Sequence, residues 1–139
     1  MDTTTFEVTT GGEFACADLT PHIRDFARGR GDGLCHVFVP HATAGVTLLE
    51  LGAGTEEDAS AALAHLLPRD DRWIHRHGSE GHGADHLLPL VCGPSLTLPV
   101  FGGEPALGAW QSVALIDPNV DNPTRTVRLS WIPGGRDVR

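Results

Sequence analysis

The sequence predicts a β-rich α+β domain, mostly an antiparallel β-sandwich with two or three helices packed outside it. About six to eight segments have the apolar pattern of a strand. Only two or three segments have a helix-start signal followed by an apolar stripe. Short turns join most consecutive strands, which favours antiparallel pairing. The 139 residues contain no linker and no internal repeat, so a single domain is expected over residues 1–139.

The first elements are a short strand and its expected partner. Phe6 and Val8 alternate with polar neighbours, as in a half-buried or edge strand. Residues 13–18 form a second extended segment, and the Gly11-Gly12 pair between the two segments is typical of a tight turn. We therefore expect the two segments to form a β-hairpin.

Two segments carry helix-start signals. Thr20 followed by Pro21 indicates a capped helix start, with Ile23 and Phe26 on the buried side. Thr55 is the expected cap of the second helix, and the acidic residues after it favour the positive end of the helix dipole. The stripe expected to be buried in this second helix consists of Ala59, Leu63, Leu66 and Leu67.

The other apolar segments are predicted strands. Residues 33–40 and 43–50 are almost continuously apolar, as in strands covered on both faces. Residues 96–100 alternate, and residues 110–117 form another buried run. Residues 126–131 alternate strictly between polar and apolar, which predicts one face on the core and one in water.

Composition excludes several classes of partner. The formal net charge is −8, and all ten basic residues are arginine, without a basic cluster. We therefore expect no binding to nucleic acid and none to a membrane. The first ten residues lack the basic region and apolar core of a signal peptide. Three widely spaced cysteines without a CxxC pair favour a reducing, cytoplasmic setting.

Half of the eight histidines lie in one glycine-rich segment, WIHRHGSEGHGADH, at residues 73–86. Its glycines disfavour a regular helix, and a flexible segment dense in imidazole and carboxylate can gather metal ligands or proton-transfer groups. His75 and His77 are two residues apart, so both would point to one face of an extended backbone. The spacing lacks the cysteines of a structural zinc site, which favours a catalytic or weakly held divalent metal with an open position over a structural one. A solvated polar loop that binds no ligand is the alternative.

Four further features outside this segment bear on function. His41 ends a predicted buried strand among small residues, a position suited to a general base, a metal ligand or a backbone-bonded side chain. Glu50 closes the next strand, where a carboxylate is either solvated or paired. Arg125 follows DPNVDN, a predicted turn, and could contact an anionic ligand. Gly102, Gly103 and Gly108, which lie before Trp110, could offer backbone amides to phosphate, although no GxGxxG or P-loop pattern occurs.

These residues together resemble a known family. Ser95, Leu98, Val100 and Gly103 lead into Gly108-Ala109-Trp110-Gln111 and Val113, a run similar to the Gly-Thr-Trp-Gln signature of the YjbQ-like family, called secondary thiamine-phosphate synthases. His41-Ala42-Thr43-Ala44 resembles the family's His-Thr-Ser-Ala, and Glu50 follows it at the matching place. The likeness runs over residues 33–131.

The glycine-rich segment matches the family in part. Gly81, Gly83 and His86 match the form Gly-Asn-Gly-His-Ser-His, and His77 matches a histidine before it. His82, Ala84 and Asp85 depart from that form. Ala84 removes one family histidine, and His82, two positions earlier, is the candidate to replace it.

The resemblance implies a small homotrimer with a weak activity that joins a pyrimidine pyrophosphate to a thiazole phosphate, giving thiamine phosphate and pyrophosphate. We expect catalytic roles for His41, Glu50 and His86, and a divalent cation, zinc or magnesium, held by His41, His77 and His86. Contacts to the small phosphorylated substrate are expected from Gly108, Trp110, Gln111 and Arg125. The alternatives are a phosphate- or metal-binding module without physiological catalysis, and a trimer whose histidines only join the subunits.

Overall fold

The computed structural model describes residues 1–135, which form eight strands and three helices. The helices are α1 (Thr20–Ala27), α2 (Thr55–Leu66) and the short α3 (His82–Asp85), followed by a 3-10 turn at Leu88–Leu90. The strands are β1 (Asp2–Thr9), β2 (Ala15–Asp18), β3 (Gly33–Phe38), β4 (Gly45–Leu49), β5 (Ser95–Phe101), β6 (Glu104–Pro105), β7 (Ser112–Asp117) and β8 (Thr124–Pro133).

The strands form two sheets in which every pairing is antiparallel. One sheet has the order β1-β8-β3-β5-β6, and the smaller one has the order β2-β7-β4. Val37 and Leu129 from the larger sheet and Val46 and Leu115 from the smaller one share a single buried core. The predicted fold class, a β-rich α+β domain with two antiparallel sheets, is confirmed.

The central strand β8 explains how the sequence pattern builds the core. Val127, Leu129 and Trp131 are buried, whereas Arg128 on the opposite face is exposed. This is the predicted period of two, and it lets β8 pair with β1 on one side and β3 on the other. Arg125, the first inward-facing residue of the strand, is buried at the edge of the core.

The predicted hairpin between the first two strands is wrong. β1 pairs with β8 along its whole length, from Asp2 opposite Trp131 to Thr9 opposite Thr124. β2 belongs to the smaller sheet and pairs with β7. The Gly11 turn does form, but it carries the chain from one sheet to the other, because an eight-residue ladder with β8 satisfies more backbone groups than a four-residue hairpin could.

Both predicted threonine caps are wrong as well. Thr20 is the first residue of α1, and its hydroxyl accepts a hydrogen bond from the Val113 amide at 2.9 Å, which ties the helix to β7. Gly54, with φ of 90°, precedes α2 in place of a side-chain cap. The Thr20 hydroxyl therefore bonds to an amide of β7 and does not cap its own helix.

α2 is less buried than its apolar stripe predicts. None of its residues is fully buried, and Leu66 is 59% exposed. Leu63 does pack on a second, smaller cluster around Leu88 and Ile116, which lies on the outer face of the smaller sheet. Within residues 1–135, no helix combines the length and the apolar character that crossing a bilayer requires.

Candidate metal centre

The glycine-rich segment is folded tightly enough to bring its histidines together. The Trp73 indole donates to the Pro68 carbonyl at 2.7 Å, which fixes the start of the segment. A Cβ on Gly83 would lie 2.4 Å from the His75 carbonyl oxygen, so only glycine lets α3 approach this stretch so closely. Gly78, with φ of 72°, turns the chain between the two parts of the segment.

Three histidines converge at the surface of this segment. One ring nitrogen from each of His75, His77 and His86 lies within 4.8 Å of the others. The His86 ring centroid is 4.3 Å from that of His75 and 5.2 Å from that of His77. His75 and His77 are exposed and His86 is half-buried, so a cation could reach the cluster from solvent. The burial of His86 and the neighbouring His75 lower the pKa of its imidazole, which favours the neutral form that binds metals.

His82 lies behind the three histidines and is almost fully buried. Its Nε2 is 2.9 Å from Nε2 of His86. Its Nδ1 is 2.9 Å from Oδ2 of Asp121 and 3.7 Å from Oδ2 of Asp85. The fourth histidine of the segment therefore lies between the cluster and two carboxylates, and within residues 1–135 its buried Nδ1 has no hydrogen-bond partner.

The Asp85 carboxylate is buried beneath His82. Burial raises its pKa, and the hydrogen bond from the Arg69 guanidinium opposes that rise. Arg69 also donates to the Pro118 carbonyl at 3.3 Å, so the ion pair joins the segment to the end of β7. This pair anchors α3 and thereby the positions of His82 and His86.

His77, His82 and His86 line one side of a cleft of about 410 Å³, whereas His75 lies outside its lining. Residues 40–43 form another side, and the third is formed by Asn119, Asp121 and Asn122 of the loop after β7 together with Arg125 at the start of β8. His41 and His86, which are far apart in the chain, thus line the same cleft. The convergence on which the predicted site depends is present within one chain.

His41 is fixed by a backbone contact. Its Nε2 accepts a hydrogen bond from the Thr126 amide at 2.8 Å, so the proton of the neutral ring is on Nδ1. Partial burial, followed by the positive charge of Arg125, lowers the pKa of His41 and keeps the ring neutral. This geometry favours a donor role for His41 toward a ligand oxygen, and its role as a metal ligand stays a prediction.

Arg125 is buried at the cleft, with 1% of its surface exposed. Its Nε and Nη2 bind the two carboxylate oxygens of Asp117 at 2.7 and 2.9 Å. Nη2 also donates to the Thr43 hydroxyl at 2.9 Å, which accepts a second hydrogen bond from Asn119 at 2.7 Å. Within residues 1–135, Nη1 has no hydrogen-bond partner, so this nitrogen can still donate to an anion in the cleft.

The other predicted site residues lie elsewhere. Leu49 pairs with Ser112, so Glu50 and Gln111 lie together at one end of the smaller sheet, whereas Asp117 is at the other end. The six residues of β7 separate the two ends by roughly 17 Å. Within one chain, these residues therefore lie far from the histidine cleft.

The segment at that far end is open to solvent. Trp110 is 77% exposed, and Glu50 is exposed as well. The Gln111 side chain accepts a hydrogen bond from the Gly108 amide at 2.9 Å, which holds the turn in shape. The four predicted residues Glu50, Gly108, Trp110 and Gln111 are not among those that line the cleft.

Sequence reasoning missed the carboxylates and the amide that support the site. Asp121 and Asn119 lie in DPNVDN, which is typical of a turn, and their contacts with His82 and Thr43 join segments about 40 or more residues apart. The available signal was the density of acidic side chains directly before Arg125. Density alone does not show which side chains turn inward.

The lowered pKa values predict a loss of stability in mild acid. His41 and His86 have lower pKa values in the folded state than the ordinary value of 6.5, so the unfolded chain takes up protons first as the pH falls. The free energy of unfolding, measured in urea, should therefore decrease from about pH 7.5 to about pH 5.5. The double variant His41→Asn/His86→Asn should show a shallower slope. An equal slope in both proteins would contradict this assignment.

Comparison with known proteins agrees with this fold and places the chain in a family. The family model described as UPF0047 protein YjbQ-like matches residues 4–134. The UPF0047 protein Rv2556c of Mycobacterium tuberculosis is 57% identical over 134 residues, which cover 96% of this chain and 100% of that protein.

Solved structures show the same architecture. The hypothetical protein APE1520 of Aeropyrum pernix superposes with a TM-score of 0.86 at 30% identity, covering 96% of this chain and 100% of that one. The conserved hypothetical protein TT1486 of Thermus thermophilus superposes with a TM-score of 0.79 at 33% identity, covering 93% and 99%. Sequence and fold agree over nearly the whole chain, which therefore belongs to the UPF0047, YjbQ-like family.

Proposed function

We propose that the protein is a zinc-dependent enzyme that acts on a small phosphorylated substrate by a thiamine-phosphate synthase type of reaction. The observation that carries the proposal is the convergence of His75, His77 and His86, with ring nitrogens within 4.8 Å, beside a cleft that also contains the Arg125 guanidinium. A cation site next to a positively charged donor suits a substrate that carries phosphate.

The donor set fits zinc better than magnesium. Imidazole nitrogen is a common zinc ligand, whereas magnesium prefers carboxylate, phosphate and water oxygens. Catalytic zinc sites usually have three protein ligands and a fourth position open to water or substrate, and the three histidines of the cluster match that number. His75 and His77 are exposed, so their rings can adjust as a cation enters. The residues of the cluster therefore fit this metal.

The chain itself would bind and orient the substrate. Arg125 offers Nη1 to a phosphate oxygen, while Asp117 and Thr43 hold the guanidinium plane. His41, whose Nε2 is bonded to the Thr126 amide beside Arg125, offers Nδ1–H to the same ligand. When bound, the cation would offset the negative charge that develops as pyrophosphate leaves. The bond between the pyrimidine methylene carbon and the pyrophosphate oxygen breaks, and a bond between that carbon and the thiazole nitrogen forms. No atom changes its oxidation state overall, so the step needs no oxidant.

The direct test is formation of thiamine phosphate from the pyrimidine pyrophosphate and the thiazole phosphate by the zinc-loaded protein. We expect turnover that falls by more than about 100-fold in His86→Ala and stays unchanged in His65→Ala, whose histidine is exposed on α2. Turnover that His86→Ala leaves unchanged would overturn the catalytic assignment. Zinc and phosphate binding without product would support the non-catalytic binding module instead.

We also propose that the protein assembles as a homotrimer in which neighbouring chains complete each site. The far end of the smaller sheet exposes Trp110, and the exposed Leu66 leaves apolar surface on α2. Aromatic side chains such as Trp110 are enriched in the contacts between subunits. A neighbouring chain could bring Glu50 and Gln111 to a cleft that they cannot reach within their own chain.

Mass and complementation together test this assembly. Light scattering should give three times the chain mass of 14.8 kDa, and Trp110→Asp should lower the mass toward that of one chain. Equal amounts of His86→Ala and Gln111→Ala, unfolded and refolded together, should recover about a quarter of wild-type turnover, because random assembly leaves one site in four intact. A wild-type monomer, or no recovery in the mixture, would contradict shared sites.

A further inference from the structure

The Thr43 hydroxyl is buried beside the Arg125 guanidinium at the edge of the cleft. Thr43 is only 5% exposed, and it lines the cleft together with Arg125 and Asn119. Its oxygen accepts one hydrogen bond from Nη2 of Arg125 at 2.9 Å and another from Nδ2 of Asn119 at 2.7 Å. A threonine hydroxyl has two lone pairs and one proton, so these two bonds use both of its acceptor positions.

The roles of donor and acceptor in these two bonds are fixed. The arginine side chain has only donors. The side-chain oxygen of Asn119 accepts a hydrogen bond from the Asp121 amide at 2.7 Å, and this contact turns the Asn119 amide nitrogen toward Thr43. The backbone amide of Asn119 donates to Oδ1 of Asp117 at 3.0 Å, which holds the residue at the end of β7. The Thr43 proton therefore cannot go to either neighbour.

The Thr43 proton can find an acceptor only in the cleft. Within residues 1–135, no nitrogen or oxygen accepts a hydrogen bond from this hydroxyl. Buried polar groups are normally hydrogen-bonded, and Thr43 borders the cleft, so a partner would enter from there. Nη1 of Arg125 belongs to the same guanidinium as Nη2 and is likewise free within the described residues. The two free donors are thus neighbours at the cleft.

The nearby carboxylates are already engaged by other groups. Each oxygen of Asp117 accepts two hydrogen bonds, from Arg125, the Asn119 amide and the Thr10 hydroxyl. Oδ2 of Asp121 accepts from the amide and the hydroxyl of Ser79, so this oxygen faces the glycine-rich segment. The free hydrogen-bonding positions around Thr43 and Arg125 are therefore donors, which suits an anionic oxygen as the ligand atom.

We propose that Thr43 is a substrate-binding residue whose hydroxyl, together with Nη1 of Arg125, binds the oxygens of one phosphate group. Hydrogen bonds from arginine and hydroxyl donors to an anionic oxygen are among the stronger ones in proteins. Asn119 acts as a positioning residue, because its bond to Thr43 leaves the hydroxyl proton free for the ligand. The identity of the phosphorylated substrate rests on the proposed function, whereas the contact between Thr43 and a phosphate group does not.

Phosphate binding to the zinc-free protein tests the contact. In titration calorimetry with inorganic phosphate, Thr43→Val should lower the affinity by about 10- to 100-fold, the usual effect of losing one hydrogen bond to a charged group. Thr43→Ser retains the hydroxyl and should retain the wild-type affinity. Thr20→Val is the matched control, because Thr20 is equally buried and its hydroxyl also accepts a hydrogen bond, from the Val113 amide near the other end of β7.

A phosphate monoester is the second probe, and it distinguishes a substrate from free phosphate. Binding of the ester with the same dependence on Thr43 would assign the contact to an esterified substrate. Binding of inorganic phosphate alone would assign it to a released product. Either result supports the hydroxyl contact. Affinities for both probes that Thr43→Val leaves unchanged would overturn it.

Exchange of the hydroxyl proton separates a direct contact from a role that only holds Arg125 in place. In the wild type, phosphate should slow the exchange of the Thr43 hydroxyl proton with water, as followed by NMR. Equal exchange with and without phosphate would overturn the proposal, and this measurement does not depend on the folding of any variant. Phosphate binding that depends on Thr43, without formation of thiamine phosphate, would support the contact and count only against the proposed reaction.

Discussion

Replacing His86 with alanine is expected to remove one zinc ion per chain, with a loss of affinity of more than about 100-fold. This loss should exceed the 10- to 100-fold effect typical of residues that only support a ligand, because His86 is itself a ligand in the proposed site. The His86 ring packs against both His75 and His77, so its removal leaves two exposed imidazoles that no longer converge with a third. Elemental analysis and competition with a zinc-binding dye would measure the effect.

The control for this prediction is His65→Ala. His65 is exposed in the last turn of α2, outside the cluster, so the variant changes the number of histidines without changing the site. Wild-type zinc content is expected there. The metal centre would be contradicted if His86→Ala retained the zinc affinity of the wild type, or if both variants lost zinc equally.

Arg125→Met is expected to lower the free energy of unfolding by about 3–5 kcal/mol, the usual cost of removing one partner of a buried ion pair. Arg125 and Asp117 are both fully buried and joined by two hydrogen bonds. Methionine has a similar length but leaves the Asp117 carboxylate without its main donor, while Thr10 still donates to it at 2.7 Å. Urea unfolding at neutral pH would measure the change.

Arg128→Met on the same strand is the matched control. Arg128 is exposed on the outer face of β8, so its replacement should change the free energy of unfolding by less than about 0.5 kcal/mol. Similar stability of the two variants would show that the buried pair does not hold the end of β7 against β8.

The strands were largely predictable because their signals are local. The period of two in β8 and the continuous apolar run of β3 follow from which faces are covered. The partner of β1 was not predictable in this way, because a turn at Gly11 is compatible with a hairpin and with a crossing between sheets. Pairing with β8, more than a hundred residues away, is decided by the assembled core.

The stripe on α2 shows a second limit of local patterns. Leu63 and Leu66 both lie in an apolar stripe, yet only Leu63 packs on the cluster beneath the helix. Periodicity gives the face that avoids water, but it does not say whether the same chain covers it. In the proposed trimer, a neighbouring chain would cover Leu66, which would explain why this side chain is exposed in a single chain.

Of the three clustered histidines, His77 and His86 were predicted metal ligands and His75 was not, and the partners of these rings were not predictable. The two-residue spacing of His75 and His77 indicates that they share a face, and His86 follows on the short α3. The contact between His82 and Asp121 depends on the path of two loops. Loop paths are set by glycine turns and long-range hydrogen bonds, which leave only weak patterns in one sequence.

X-ray absorption spectroscopy of the zinc-loaded protein tests the metal centre most directly. Convergent imidazoles predict a first shell of nitrogen or oxygen at about 2.0–2.1 Å, with the multiple-scattering pattern of at least three histidine rings. Thiolate scattering at about 2.3 Å, or a shell without histidine scattering, would instead mean that the ion binds elsewhere and that the cluster is not a metal site.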